Sequence, residues 1–221
     1  MTTKTAMILA AGRGERMRPL TDTRPKALLE IGGRSLIGRQ LERAATAGIE
    51  TVVVNLGWLG EMIVERIGGG RRFGLQVVYS PECDRVLETG GGIRRALPLL
   101  GHGPFWVLNA DVYTDFALPD IELPPEALGH LILVPKPAHK PCGDFDLIGN
   151  RPGRCGVPAY TFSGMALYRP ELFADTPPGR FPLAPLLFDA ADRGVLRATL
   201  HEGLWEDVGT PERLAALDRH V

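Results

Sequence analysis

Short runs of consecutive apolar residues alternate along the chain with longer stretches in which apolar positions recur every three or four residues. The runs at 6–11, 51–55, 75–80 and 105–109 have the length and continuity of strands buried on both faces. Between them the spacing predicts helices: one capped by Ser35 and ending at Gly48, one over 58–67 that runs into Gly68-Gly69-Gly70, and one over 92–100 before Gly101. Strand and helix in this rhythm predict a doubly wound, mostly parallel α/β sheet. After Asp115 the rhythm breaks. Pro119, Pro124, Pro125, Pro135, Pro137 and Pro141 cut the chain into short pieces around two further strand candidates, 130–134 and 160–168, which predicts a small lobe laid over the sheet. The last third returns to a helix over 183–193 closed by Gly194 and a strand over 195–201. A final helix follows, with Thr210 as cap and Pro211 in its first turn.

Composition narrows the partners. The chain has 221 residues, 44% hydrophobic and 23% charged, enough to bury a core as one domain. A net charge of -1 excludes the broad basic field of a nucleic-acid binder or a protein drawn electrostatically to membranes, so small molecules held by local charge are the expected partners. The three cysteines, Cys83, Cys142 and Cys155, have no disulfide or zinc spacing, and the five histidines have no ligand spacing and read as surface or loop residues. The apolar run at 6–11 is too short for a signal-peptide core, and no run approaches a membrane span; a cytoplasmic location is expected.

The loop leaving the first strand carries the strongest chemistry. In open α/β sheets ligands bind beyond the carboxyl ends of the strands. There stands Ala10-Ala11-Gly12-Arg13-Gly14-Glu15-Arg16-Met17-Arg18, whose small residues let backbone N–H groups approach an anion while three arginines add charge. Met17 stands where a Walker A loop needs its second glycine and a dinucleotide fingerprint its third small residue, so neither motif is present. A bare Gly-x-Gly also serves as a tight turn; the arginines and the downstream Pro25-Lys26 point instead to a triphosphate. Asp111 ends the hydrophobic run Phe105-Trp106-Val107-Leu108-Asn109-Ala110 and is delivered to the same sheet edge, where a carboxylate suits Mg²⁺. Asp207, just before the last helix, reads either as a helix cap or as a second metal ligand.

The run Leu9-Ala10-Ala11-Gly12-x-Gly14-x-Arg16-Met17, followed by Arg24-Pro25-Lys26-Ala27-Leu28, resembles the signature of the sugar-1-phosphate nucleotidyltransferases. The resemblance implies a Rossmann-like nucleotidyltransferase fold in a single domain over 1–221, with 1–115 binding the nucleotide and 116–221 the sugar. It further implies Mg²⁺ as cofactor, held by Asp111 and Asp207, with Asp115 and Glu206 as their rivals. Lys26, Arg16 and Asp111 are the implied catalytic residues. Ala10, Ala11, Gly12, Gly14, Arg16, Lys26, Glu88, Gly90 and Asn109 are implied to hold the nucleotide. Gly143 in the loop 139–147 is implied to donate its N–H to the sugar, with Thr161 and Ser163 as the opposite wall.

Glu88-Thr89-Gly90-Gly91, Gly143-Asp144-Phe145, Thr161-Phe162-Ser163-Gly164 and Trp205-Glu206-Asp207-Val208 together are most similar to the branch that joins UTP to N-acetylmuramic acid 1-phosphate in peptidoglycan recycling. Mannose, glucose or choline phosphate with GTP, dTTP or CTP, and a catalytically inactive nucleotide-binding subunit, are the alternatives. A Glu-Lys-Pro segment usual in many members is absent, which leaves the grip on the sugar phosphate to Lys26, Arg151 or Arg154. The chain ends at Val221, so the β-helix domain of acetyltransferase relatives is not expected.

Overall fold

A computed structural model describes residues 3–82, 86–138, 140–154 and 157–219. Cys83, Cys155, His139 and His220, on which the sequence carries expectations, lie outside the described residues. Seven strands form the central sheet: β1 (Thr5–Leu9), β2 (Thr51–Leu56), β3 (Gln76–Pro81), β4 (Phe105–Asn109), β5 (Gly129–Pro135), β6 (Tyr160–Tyr168) and β7 (Leu196–Leu200). Their order across the sheet is β7-β5-β6-β4-β1-β2-β3. β1 pairs in parallel with β2 and β4, β2 with β3 and β5 with β7, while β6 runs antiparallel to both its neighbours. The proline-broken segment thus supplies β5 and β6 to the sheet itself. Of the described residues in that segment, the ribbon Asp146–Ile148 with Arg151–Gly153 stands outside the sheet, so the expected lobe is smaller than the proline pattern suggested.

Helices cover both faces. Alternation along β1 sends Ala6 and Ile8 to one face, where Ile37, Leu41 and Ala44 of α1 (Leu36–Thr46) and Ile63 of α2 (Gly60–Ile67) pack. It sends Met7 to the other, against Ile93 and Ala96 of α3 (Glu88–Leu100) and Leu187 of α4 (Leu183–Asp192). A smaller cluster of Met17, Leu29, Ile31, Leu36 and Val208 seats the loop after β1 against the start of α5 (Pro211–Asp218). The caps read from the sequence hold: Ser35 Oγ accepts from Gly38 N at 3.2 Å, and Thr210 Oγ1 from Arg213 N at 3.4 Å. One boundary is corrected. α3 begins at Glu88 rather than at residue 92, so the three glycines lie inside its first turns.

Candidate active site

The parallel strands β1, β2 and β4 end on one edge of the sheet, and their exit residues line a cleft of about 200 Å³. Ala10, Ala11 and Gly12 come from β1, Asn55 from β2, Asn109 and Asp111 from β4. Lys26 enters from a single 3-10 turn, Lys26–Leu28, set by Pro25 at φ -64°; its ammonium is ion-paired with Asp111 Oδ2, and its side chain is 15% exposed. Gly14, at φ 66°, turns the loop back toward Lys26. A methyl built there would lie 3.1 Å from Lys26 Cβ, so only glycine allows both the left-handed turn and the contact. Met17 N and Thr21 Oγ1 both donate to Gly14 O, at 2.8 and 2.9 Å, and fix the loop from behind.

A buried polar chain that sequence reasoning missed holds the floor of the cleft. Ala10 N donates to Asn55 Oδ1 at 2.7 Å, Asn55 Nδ2 donates to Glu82 Oε1 at 2.7 Å, and Leu87 N donates to Glu82 Oε2 at 2.9 Å. It ties the first strand's loop to the segment that opens α3. One signal for it was present: Asn55 ends an otherwise apolar strand at the ligand edge, as Asn109 and Asp111 do.

A two-stranded ribbon, Val112–Thr114 with Trp205–Asp207, sets Asp207 opposite Val112, the residue after Asp111. Val208 N donates to Asp111 O at 2.9 Å, which locks the two segments side by side. α1 braces the ribbon: Gln40 Nε2 donates to Val112 O and Arg43 Nη2 to Thr114 O, each at 2.6 Å. Burial, with Arg39 adding repulsion, holds the Arg43 guanidinium below its ordinary pKa. Asp207 Oδ1 is paired with Arg213 Nη1 at 2.5 Å, and the Arg16 guanidinium and Asp207 Oδ2 both flank Gly209, within 3.4 Å of where its Cβ would be. Glu206 alternates with Asp207 on the ribbon and is exposed, and Asp115 Oδ1 is paired with His201 Nε2 at 2.9 Å.

A second cavity, of about 380 Å³, opens from the first; Glu88, Thr89 and Asn109 line both. Its own walls are Asp144, Phe145, Phe162, Leu183, Leu187 and Phe188 among others. Glu88 sits at the junction in the left-handed region, φ 59°, an unusual place for a glutamate, and its carboxylate pairs with Arg180 at 2.7 Å.

Several expectations need correction. Thr161 and Ser163 do not line the second cavity. They are buried, and their neighbour Phe162 lines it instead, because alternation along β6 turns the even residue that way before the register shift between Phe162 and Ala166. Ser163 Oγ accepts from Met165 N at 3.2 Å. Gly143 N donates to Pro158 O at 2.8 Å, so the N–H expected for the sugar is already used. Gly90 is close to protein rather than ligand: Phe181 occupies the space beside it, 2.4 Å from where a Cβ would stand. The loop arginines do not line the cleft either. Arg13 stacks on Trp58 at 4.5 Å, Arg18 pairs with Asp22 at 3.1 Å, and Arg16 lies beside Gly209. Arg151 lies near Gly194, whereas Arg154 stacks on Phe188 of the second cavity. Of the histidines, His201 lies in a loop as expected, whereas His130 is half-buried on β5.

Comparison with known proteins follows the same geometry. Residues 5–123 match the model of the nucleotidyl transferase family. The chain is 47% identical over 95% of its length to an N-acetylmuramate alpha-1-phosphate uridylyltransferase of Neisseria meningitidis serogroup B, covering 94% of that protein. It is 36% identical over 96% of its length to a protein of the same name from Caulobacter vibrioides, covering 95% of it. Among solved structures, UDP-glucose pyrophosphorylase complexed with UDP-glucose aligns with a TM-score of 0.79 at 19% identity, over 98% of this chain and 97% of that one. The inositol-1-phosphate CTP transferase from T. maritima aligns at 0.75 and 16%, over 99% and 96%. At such identities the structural likeness speaks for the fold, a Rossmann-like nucleotidyltransferase sheet. Among the described residues no helix is long and apolar enough to cross a membrane.

Proposed function

Since the chain belongs to the nucleotidyl transferase family and is a nucleotidyltransferase acting on a sugar 1-phosphate, we propose that it transfers UMP from UTP to N-acetylmuramic acid 1-phosphate, releasing pyrophosphate, as a cytoplasmic step of peptidoglycan recycling. The observation that carries the reading is the pair of cavities meeting at Glu88, Thr89 and Asn109, with Lys26 and Asp111 on the nucleotide side. UTP takes the cleft of Ala10, Ala11 and Gly12 in the 1–115 half. The sugar takes the cavity of Phe145, Phe162 and Phe188 in the 116–221 half. The names of the two similar uridylyltransferases support the choice of base and acceptor.

The chemistry is an in-line displacement. An anionic oxygen of the sugar phosphate attacks the α-phosphorus of UTP, the new P–O bond forms as the bond to the β-phosphate oxygen breaks, and pyrophosphate carries away the electron pair. No protein nucleophile is required, so the enzyme contributes positioning and charge. Lys26 lies beside Asp111 at the cleft and can turn its ammonium from the carboxylate to the phosphates as they arrive. Backbone N–H groups of the Ala10–Gly12 turn and Asn109 orient the nucleotide. The donor set fits Mg²⁺: two carboxylates on adjoining backbone, with substrate phosphates completing an oxygen shell. Asp111 and Asp207 would hold the ion, which when bound neutralises charge on the triphosphate and the departing pyrophosphate.

Pyrophosphate release with Mg²⁺ across UTP, GTP, CTP and dTTP, each paired with the muramic, glucosamine, glucose and mannose 1-phosphates, tests the proposal. Release fastest with UTP and the muramic compound is expected. Release fastest with another pair overturns the substrate assignment, and release with none overturns the reaction.

A further inference from the structure

The second cavity is bordered by charged groups as well as aromatic ones. Its two lining carboxylates already have cations: Asp144 Oδ2 pairs with Lys140 Nζ at 3.6 Å, and Glu88 Oε1 with Arg180 at 2.7 Å. A third cation stands at the rim. The Arg154 guanidinium lies over the Phe188 ring, 4.1 Å from its centroid, and Phe188 is a wall of this cavity, itself packed on Phe145 at 5.4 Å. Among the described residues no carboxylate lies within ion-pairing distance of Arg154, which is solvent-exposed on its other side. Phe188, on which the Arg154 guanidinium stacks, is a wall that the nucleotide cleft does not share.

Stacking determines what that guanidinium can do. A planar guanidinium held flat on a ring keeps its N–H edges free in the plane, which is the arrangement that receives a carboxylate bidentately. Pre-stacking also reduces the side-chain entropy lost when the partner binds. Beyond Glu88, Thr89, Asn109 and Asp144 the lining is aromatic and aliphatic, suited to a pyranose face and small alkyl substituents.

We propose that Arg154 is a specificity residue for an acidic acceptor: it receives a carboxylate borne by the sugar ring, on the side of the cavity away from the reacting phosphate. The inference rests on the proposed acceptor, because N-acetylmuramic acid differs from N-acetylglucosamine by a lactyl ether whose carboxylate is the only added charge. It gives the enzyme a positive reason to prefer the acidic sugar. A neutral sugar leaves the guanidinium facing water.

The test measures kcat/KM for N-acetylmuramic acid 1-phosphate and for N-acetylglucosamine 1-phosphate in the wild type, Arg154→Ala and Arg154→Lys, with melting temperatures as a check on folding. In Arg154→Ala the preference for the acidic sugar should fall about 10-fold or more, the fold-change of one charge-assisted pair, chiefly through KM for the acceptor. Arg154→Lys should recover part of it. An unchanged preference in Arg154→Ala, or an equal loss with both sugars, overturns the role of Arg154. A wild-type enzyme that does not prefer the muramic compound overturns instead the acceptor reading on which the inference stands.

Discussion

Replacing Asn55 with alanine tests how the cleft is held together. Asn55 is 3% exposed, and its amide both accepts from Ala10 N and donates to Glu82 Oε1. The substitution removes both partners at once and leaves a backbone N–H and a carboxylate oxygen without their protein contacts. Each buried group stripped of its partner costs about 1–3 kcal/mol. The cleft beside them admits water to Glu82, which returns part of the second cost, so a loss of about 3 kcal/mol is expected overall. For a chain of this size that corresponds to a fall in Tm of about 6–12 °C. Urea unfolding followed by circular dichroism gives the stability. Initial rates at varied UTP give the second readout, since Ala10 and Glu82 both line the nucleotide cleft and KM for UTP should rise. A double-mutant cycle with Glu82→Gln should return a coupling of about 0.5–3 kcal/mol. A stability loss below about 1 kcal/mol with unchanged KM for UTP would refute the claim that this chain organises the site.

Asp207→Asn should raise the Mg²⁺ concentration for half-maximal rate by about 10-fold or more while leaving the fold intact, because the carboxylate lies on a ribbon edge rather than in the core; a metal titration of initial rate checks it. His130 supplies a pH dependence. Burial, with Arg197 nearby, pushes its pKa down from 6.5 to about 4, so the folded state keeps the imidazole neutral where the unfolded chain binds a proton. Stability should therefore fall as pH drops through 6.5 toward 4. After discounting for partial exposure, the loss between pH 7 and pH 5 is about 1 kcal/mol. In His130→Gln, whose side chain can still reach Thr199, that part of the pH slope should vanish in urea unfolding at the two pH values.

The cleft at the ends of β1, β2 and β4 was legible in the sequence because its residues are local. Gly12, Gly14 and Lys26 lie within one strand exit and the turn that follows, and Asp111 ends a strand whose apolar run aims it at the ligand edge. The second cavity was less legible. Whether Thr161 or Phe162 faces the second cavity depends on strand parity, and the bulge between Phe162 and Ala166 makes parity before it independent of the core alternation after it. Gly90 and Gly143 show another limit. A glycine that lets backbone approach a ligand and one that lets it approach protein have the same spelling, and here Phe181 and Tyr160 are what come close. The Asn55–Glu82 contact spans two strand ends, so it emerges only once β2 and β3 are in register.

The most direct test of nucleotidyl transfer at this site is pyrophosphate release by purified Lys26→Ala with saturating UTP, acceptor and Mg²⁺. Asp111, which loses its partner, is 31% exposed and can be solvated, so an unchanged circular dichroism spectrum is expected. The account predicts a fall in kcat of about 10²- to 10³-fold, the magnitude of removing one preorganised charge from a reacting centre. A rate within about threefold of wild type, from a folded variant, would contradict it.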